Sequence, residues 1–260
     1  MSVDTAVRQI EAGLPDVGYV EAGPAEGPAV MLSDETFRNG EQGALALDVI
    51  ALLDALEIES AILAGFDWGA RTADIVAAVW PERCSGLVSV SGYLIVNLAA
   101  NQAPLPPKAE LGWWYQYYFA TERGRRGYSE NRREFNKLIW QIASPKWDFD
   151  DATFDRTAAS FDNRDHVDIV IHNYRWRLSL ADGERQYDEL EARLFEGPVI
   201  TVPTITIGSD FDGANADGRA YAQSFSGPYS HRVLEGIGHN VPQEAPEAFA
   251  DAILEVGGAT

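Results

Sequence analysis

The chain has one cysteine, Cys84, among its 260 residues. A lone cysteine excludes an internal disulfide and gives no support to a metal cluster. Cys84 begins an apolar run, where a buried and unreactive thiol is expected. The sequence also lacks an apolar run of membrane-spanning length, and residues 1–15 lack the continuous apolar segment of a signal peptide. We therefore expect a cytoplasmic protein that has no membrane partner and binds no metal.

Positive charge is scarce as well. The chain has 20 lysine and arginine residues against 40 aspartate and glutamate residues, a formal net charge of −20. Such a surface repels phosphate backbones and anionic membranes, so nucleic acid is excluded as an expected partner. The favoured ligand is a neutral or apolar small molecule, or an anion only where a local arginine overrides the overall field. The sequence leaves a homodimer open.

Nucleotide and calcium sites are not predicted. No glycine-rich phosphate loop or dinucleotide fingerprint follows a strand, so we expect no cofactor. The acidic stretches 148–151 and 210–217 do not match the calcium-loop pattern, which needs a glycine at position six and a glutamate at position twelve. A solvated acidic face explains them better.

The apolar pattern predicts an α/β core in the first part of the chain. Residues 17–22 and 29–32 are short apolar runs on either side of a turn, which indicates an opening hairpin. Helical spacing over residues 41–56, a strand at Ala61–Gly65, helical spacing over 71–80 and a strand at 87–90 follow. A strand, a helix and a strand in this order predict a parallel crossover unit.

The character of the sequence changes near residue 98. The stretch 98–198 contains five of the seven tryptophans and has helical periodicity without a convincing strand. Strand patterns return at 202–207 and 232–234, and a helix that begins with proline is predicted over 242–254. We predict a mostly parallel sheet flanked by helices, formed by residues 1–97 and 199–260, with a helical cap formed by residues 98–198.

The most informative segment is Gly65-Phe66-Asp67-Trp68-Gly69, a G-x-D-x-G sequence between an apolar strand and a helix. A residue on a sharp strand-to-helix turn needs small neighbours, because its backbone is strained and the chain passes close by. The helix N-terminus behind the turn favours a negative charge at Asp67. An ordinary helix-capping aspartate is the alternative for this motif considered alone.

Two later loops carry matching partners for Asp67. His239 lies between glycines and the start of the final helix, after the last predicted strand. Asp210 and Asp212 follow the preceding strand. The order of nucleophile, acid and histidine is the α/β-hydrolase order, whereas the three other histidines fall in the insertion or ahead of the last strand.

These segments resemble the α/β-hydrolase superfamily, in particular its epoxide hydrolase and haloalkane dehalogenase branch, in which aspartate replaces serine as the nucleophile. The resemblance covers residues 37–254. It implies that Asp67 forms an ester with the substrate and that His239 activates the water that hydrolyses this ester. The family's acid loops favour Asp212 as the acid that orients the histidine, with Asp210 as the alternative.

The cap has two segments that are similar to the parts of epoxide hydrolases that carry ring-opening tyrosines. They are residues 114–119 and 173–175, and the resemblance implies Tyr115 and Tyr174 as proton donors to the opened epoxide oxygen, with Trp114 at the substrate. Simple packing of a cap against a core is the alternative for these aromatic residues.

Two residues beside the nucleophile also have expected roles. Trp68 offers a backbone N–H for an oxyanion and an indole N–H for a leaving halide. The resemblance gives Arg71 the role of binding a substrate carboxylate, as in haloacetate-acting relatives, but a surface arginine is the favoured alternative at this position.

The sequence departs from the family after residue 32. Family members have a His-Gly oxyanion loop, a helix and a strand before the helix that corresponds to residues 41–56. Only eight residues, 33–40, are available here, and a strand-helix-strand excursion needs at least about 30. We therefore expect the fold to be one strand and one helix short. Loss of one oxyanion donor typically lowers the rate about 100- to 1000-fold.

Three functions follow as expectations. The first is an epoxide hydrolase-like enzyme that acts on small apolar substrates through an aspartyl ester. The second is a haloalkane or haloacid dehalogenase. The third is a catalytically impaired or non-catalytic protein with the α/β-hydrolase fold.

Overall fold

The structure is a computed structural model that describes residues 8–11, 16–19, 30–32, 40–211 and 217–258. The strands in these residues form two sheets. The strands are β1 (Arg8–Glu11), β2 (Asp16–Tyr19), β3 (Val30–Leu32), β4 (Ala61–Gly65), β5 (Cys84–Val90), β6 (Thr204–Ser209) and β7 (Tyr229–Leu234).

The larger sheet has the order β3-β4-β5-β6-β7, and all of its neighbouring strands are parallel. The smaller sheet is an antiparallel hairpin of β1 and β2. The predicted hairpin between residues 17–22 and 29–32 is therefore wrong. Residues 16–19 pair with the preceding strand β1, and β3 joins the parallel sheet beside β4.

Helices follow the strands on both faces of the sheet. They are α1 (Gln42–Ala55), α2 (Asp67–Val79), α3 (Pro107–Gly112), α4 (Trp114–Phe119), α5 (Glu122–Ala143), α6 (Asp151–Ala158), α7 (His166–Arg177), α8 (Asp188–Phe195), α9 (Val241–Glu244) and α10 (Pro246–Gly258). The single final helix predicted over 242–254 is instead two helices, α9 and α10. They are separated at Ala245, whose backbone is non-helical (φ −138°, ψ 59°) because it precedes Pro246.

Alternate residues of the central strands face opposite layers, as the period of two in a strand requires. Leu63 of β4 packs into a core formed with α1 and α2, whereas Ile62 and Ala64 pack towards α10. Cys84 at the start of β5 is buried, and burial raises the pKa of its thiol to about 12. The central strands β4, β5 and β6 are thus buried on both faces, and the candidate site lies at the end of β4.

Helices α3 to α8 all lie between β5 and β6 in the chain, and the described residues of this stretch contain no named strand. Residues of α4, α5 and α7 form a third apolar cluster together with Leu45 of α1 and Trp68 of α2. The division into a core of residues 1–97 and 199–260 and a cap of residues 98–198 remains a prediction. In the described part of the chain, no helix combines the length and apolar character needed to cross a membrane.

The predicted shortening after residue 32 falls largely on residues 33–39, which lie outside the described residues. Within the described residues, β3 ends at Leu32, α1 begins at Gln42, and β3 is the outermost strand of the five-stranded sheet.

Candidate active site

Asp67 lies on the sharp turn between β4 and α2. Phe66 is extended, and Asp67 itself has a φ of +50°, which is uncommon for a residue with a side chain. A Cβ atom added at Gly65 would lie 2.4 Å from the carbonyl carbon of Gly69. Only glycine lets the helix start so close to the strand, and this close approach aims the carboxylate of Asp67 outward from the sheet.

His239 is the nearest described partner of that carboxylate. Its Nε2 atom lies 3.2 Å from Oδ2 of Asp67, and it comes from the loop between β7 and α9. The imidazole ring packs at 5.7 Å from the ring of Phe66 and at 4.5 Å from the ring of Phe211. These two rings restrict the histidine to the side of the aspartate.

The carboxylate of Asp67 is crowded by protein atoms, although 48% of its side chain is accessible. Burial is the largest influence on its pKa and acts to raise it. The hydrogen bond and charge of His239, with the guanidinium groups of Arg71 and Arg177, outweigh burial and hold the pKa of Asp67 below its usual value. Asp67 is therefore ionised at neutral pH, the state that a nucleophile requires.

Two phenols lie near this carboxylate, one on α4 and one on α7. Tyr115 lies on α4 and Tyr174 on α7, with 5.4 Å between their ring centroids, and Tyr174 lies 5.7 Å from the ring of Trp68. Burial, followed by the negative charge of Asp67, raises the pKa of Tyr115 to about 12, against an opposing hydrogen bond with Tyr174. Tyr115 thus remains protonated and able to donate a hydrogen bond.

Trp114 and Trp68 occupy different surroundings. The ring of Trp114 packs on Tyr115, Tyr118 and Phe135 at 5.6–6.4 Å. Trp68 is buried, and its amide precedes the first intrahelical hydrogen bond of α2, which runs from the Ala70 N–H to the Phe66 carbonyl. Amides in the first turn of a helix lack an acceptor within that helix, so they are suited to bind an anion.

Arg71 is not the surface residue that the sequence favoured as the alternative. It is 6% exposed, and its Nε donates a hydrogen bond of 3.1 Å to the Leu94 carbonyl. Burial, followed by the positive charge of Arg177, lowers the pKa of Arg71 to about 10, while Asp67 acts in the opposite direction. The helical pattern alone did not reveal that this face of α2 is covered by the segment after β5.

Arg177 is a residue that the sequence reasoning missed. Its guanidinium carbon lies 5.8 Å from the ring centroid of Tyr174, and its buried Nε has no hydrogen-bond partner among the described residues. Its charge acts on Asp67, Arg71 and Tyr115. The available signal was its spacing, because residues three apart share a helix face and Tyr174 had already been singled out.

The acid that orients His239 was predicted to be Asp212, which lies outside the described residues. The alternative, Asp210, is described. Its Oδ2 lies 2.5 Å from Nζ of Lys146, and its Oδ1 accepts a hydrogen bond of 3.1 Å from the Gly236 N–H. The contact with Lys146, then the one with Gly236, lowers the pKa of Asp210. Both of its oxygens are engaged in fixing loops.

A second group that the sequence reasoning missed supports the His239 loop. Ser144, which follows α5, and Glu244 of α9 bind the backbone of residues 238–240. No set of three or more histidine, cysteine, aspartate or glutamate side chains suited to a metal ion occurs within the described ranges. The described side chains around Asp67 and His239 provide an ionised carboxylate, an imidazole, two phenols and two guanidinium groups.

The fold and this site define an α/β-fold hydrolase. The chain belongs to the alpha/beta hydrolase family, whose model matches residues 14–252.

Three relatives illustrate the range of the match. The chain is 46% identical to a proposed epoxide hydrolase from Klebsiella pneumoniae subsp. pneumoniae, whose crystal structure matches over 96% of each chain with a TM-score of 0.91. It is 25% identical to the curated epoxide hydrolase B of Mycobacterium tuberculosis, over 80% of this chain and 74% of that protein. A haloalkane dehalogenase variant from Bradyrhizobium elkanii has the same fold, with 17% identity, a TM-score of 0.75 and 98% of each chain covered.

The match to epoxide hydrolase B extends over 273 aligned positions, more than the 260 residues of this chain. That protein therefore has residues within the aligned span that have no counterpart here.

Proposed function

We propose that this chain hydrolyses small epoxides through an ester formed on Asp67. The observation that carries the proposal is the contact between Asp67 and His239, 3.2 Å apart, opposite a pair of packed phenols. The identity to the proposed Klebsiella epoxide hydrolase and to epoxide hydrolase B supports the same substrate class.

In the first step, a carboxylate oxygen of Asp67 attacks one carbon of the epoxide, and the ring C–O bond breaks. The resulting alkoxide takes a proton from Tyr115 or Tyr174, which becomes a phenolate. The depressed pKa of Asp67 and the raised pKa of Tyr115 keep the nucleophile ionised and the donor protonated over the same pH range. Trp114 would form part of the aromatic wall beside the substrate.

In the second step, His239 removes a proton from water, and the hydroxide adds to the ester carbonyl. The amide of Trp68 would stabilise the oxyanion. Collapse of this intermediate breaks the ester C–O bond, the proton held by His239 goes to the leaving oxygen, and the remaining acid proton returns to the phenolate. The diol leaves, and Asp67 is restored. In this proposal Asp212 holds His239 in the neutral tautomer that can accept the proton.

The two arginines favour dehalogenation of a halo acid as a second candidate. A chain with a net charge of −20 places Arg71 and the partly unpaired Arg177 beside Asp67, which creates a local field that attracts an anion. Their guanidinium groups would bind the substrate carboxylate while Asp67 displaces the halide. The halide leaves as an anion, so this reaction needs no proton from Tyr115 or Tyr174.

The proposed loss of the oxyanion loop would affect the two steps differently. With Trp68 as the remaining donor, ester hydrolysis would be slower by about 100- to 1000-fold. Ester formation would be less affected, because the oxyanion exists only in the second step. The impaired enzyme would then accumulate its ester.

The test is intact-protein mass spectrometry after incubation with aryl epoxides, haloalkanes and halo acids, combined with assays of diol and halide. We expect a substrate-sized adduct or a diol with the wild type, and neither with Asp67→Asn. Asp251→Asn, which changes an exposed carboxylate on α10, is the matched control and should behave as wild type. Halide release only from halo acids would favour the second candidate. No adduct and no product from folded wild type would reject both.

A further inference from the structure

Ser144 is a fully buried hydrogen-bonding centre that connects the end of α5 to the loop that carries His239. Its Oγ accepts hydrogen bonds from the backbone N–H groups of His239 (3.0 Å) and Asn240 (3.2 Å). It also accepts one from the Asn240 side chain (2.9 Å). The serine hydroxyl in turn donates to Oε1 of Glu244 at 2.6 Å.

Glu244 also binds the backbone of this loop. Its Oε2 accepts a hydrogen bond of 2.8 Å from the Gly238 N–H, and its Oε1 accepts one of 3.0 Å from the Asn240 N–H. The three consecutive amides of residues 238–240 are therefore all bound by Ser144 or Glu244. Backbone amides held in this way fix the φ and ψ angles that determine where the His239 side chain points.

The end of α5 and the His239 loop are also in close packing contact. A Cβ atom added at Gly238 would lie 2.5 Å from Cα of Ser144, so the two backbones are in direct contact. The His239 N–H also reaches the carbonyl of Ala143 at 3.1 Å. The residues that end α5 and follow it are thus in direct backbone contact with the loop that carries His239.

We propose that Ser144 and Glu244 are positioning residues that hold His239 for hydrolysis of the Asp67 ester. This inference rests on the proposed function. The imidazole must reach a water molecule that is aligned with the ester carbonyl, and a displacement of about 1 Å can cost on the order of 100-fold in rate. Attack by Asp67 on the substrate does not require His239 to accept a proton, so the first step depends less on this position.

Ser144→Ala separates the two steps. It removes the shared acceptor, whereas the His239 and Asn240 amides keep their contacts with Ala143 and Glu244, so the loop retains part of its support. We expect single-turnover ester formation within about twofold of wild type and ester hydrolysis slower by on the order of 10- to 100-fold. The ester should therefore persist longer in intact-protein mass spectra of the variant than in those of the wild type. Ser160→Ala, which removes an exposed serine that bonds a local carbonyl, is the matched control.

Glu244→Gln is the second variant, in case loss of the buried hydroxyl prevents folding. The amide oxygen of glutamine can replace only one of the two acceptor oxygens, so the same selective loss of hydrolysis is expected. Amide hydrogen exchange at residues 238–240 should become faster in both variants. A purely structural role would lower stability without changing the ratio of the two rates.

Equal slowing of both steps, or unchanged hydrolysis in both variants, would overturn the positioning role. A wild-type protein that forms no ester with any substrate would overturn the proposed function instead. Amide exchange and a structure of the variant would still test the position of the loop in that case. Unchanged amide exchange, or an unchanged 3.2 Å contact between His239 and Asp67 in a Ser144→Ala structure, would reject the inference on its own.

Discussion

At the scale of single residues, Asp67 has an unfavourable backbone and a favourable electrostatic setting. A side-chain-bearing residue in the left-handed region costs of order 1–3 kcal/mol, and Asp67 adopts that region with a φ of +50°. The same turn brings the carboxylate under the influence of His239, Arg71 and Arg177, which lower its pKa. Strain in the backbone thus accompanies an ionised group that is placed for attack.

The two phenols provide a test that separates the candidate reactions. Tyr115→Phe and Tyr174→Phe should each lower ester formation from epoxides by roughly 100-fold or more, because the opened ring loses a proton donor. Release of halide from halo acids should remain within a few-fold of wild type, because a halide leaves without a proton. Tyr118→Phe, in the same aromatic cluster, is the control. A similar loss for both substrate classes would assign the phenols to packing.

Arg177 is expected to select for substrates that carry a carboxylate. Arg177→Leu removes a positive charge that acts on Asp67 and Arg71. The KM for halo acids or epoxy acids should rise by about tenfold or more, since a charged hydrogen bond contributes about 1.5–3 kcal/mol. The KM for neutral epoxides should change little. Arg164→Gln, at an exposed arginine, is the control, and an equal KM increase for neutral and anionic substrates would contradict the selective role.

At the scale of elements, the close contact between β4 and α2 determines which residues the turn between them can accept. Gly65→Ala would force a Cβ into the carbonyl of Gly69, so it should lower the free energy of unfolding by about 1–3 kcal/mol or more. Gly112→Ala in α3 meets no atom within 4 Å and should be neutral or stabilise by about 0.4–1 kcal/mol. Urea unfolding of the two variants measures the difference. Equal stability would mean that the turn relaxes without penalty.

Elements with a strong local pattern could be predicted from the sequence. The strand Ala61–Gly65 was predicted at its observed bounds, and α1 within one residue at each end, because their apolar patterns are regular. The opening hairpin was wrong because the pairing partner of a short strand depends on the rest of the sheet. The break at Ala245 was also missed, since helical spacing continues across it although Pro246 disfavours a helical residue before it.

The site divides in the same way. Asp67 and His239 could be selected because their neighbouring glycines, strand ends and helix starts are local signals. The catalytic roles of the two residues remain a prediction, whereas the structure gives the distance between their side chains. Ser144 carries no motif of its own. It reaches the His239 loop through packing of distant segments, which the order of residues does not specify.

At the scale of the whole molecule, several acids are buried in a chain that is already strongly negative. Burial raises the pKa of Asp74 to about 8, and those of Asp48 and Glu191 to about 7. The folded state therefore retains protons that the unfolded chain releases above its ordinary pKa near 4. The contribution of these three groups to stability therefore falls as pH rises from about 4 to about 8.

Asp74→Asn should remove part of this pH dependence. The amide oxygen can still accept the hydrogen bond that Asp74 accepts from the Leu94 N–H at 2.7 Å. The variant should match the wild type near pH 4 and become progressively more stable than the wild type towards pH 8, as measured by urea unfolding at several pH values. Asp148→Asn should shift the whole curve little. Parallel curves for wild type and Asp74→Asn would contradict the assignment.

The contact between Ser144 and the His239 loop also limits how the substrate range of this protein can be re-engineered. In a chimaera that takes the helices between β5 and β6 from a relative, the group that binds the His239 amide would come from that relative. Such a chimaera would change the rate of ester hydrolysis as well as the substrate specificity. Retaining residues 143–147 from the host, or carrying the serine and its glutamate across together, would keep the two properties separable.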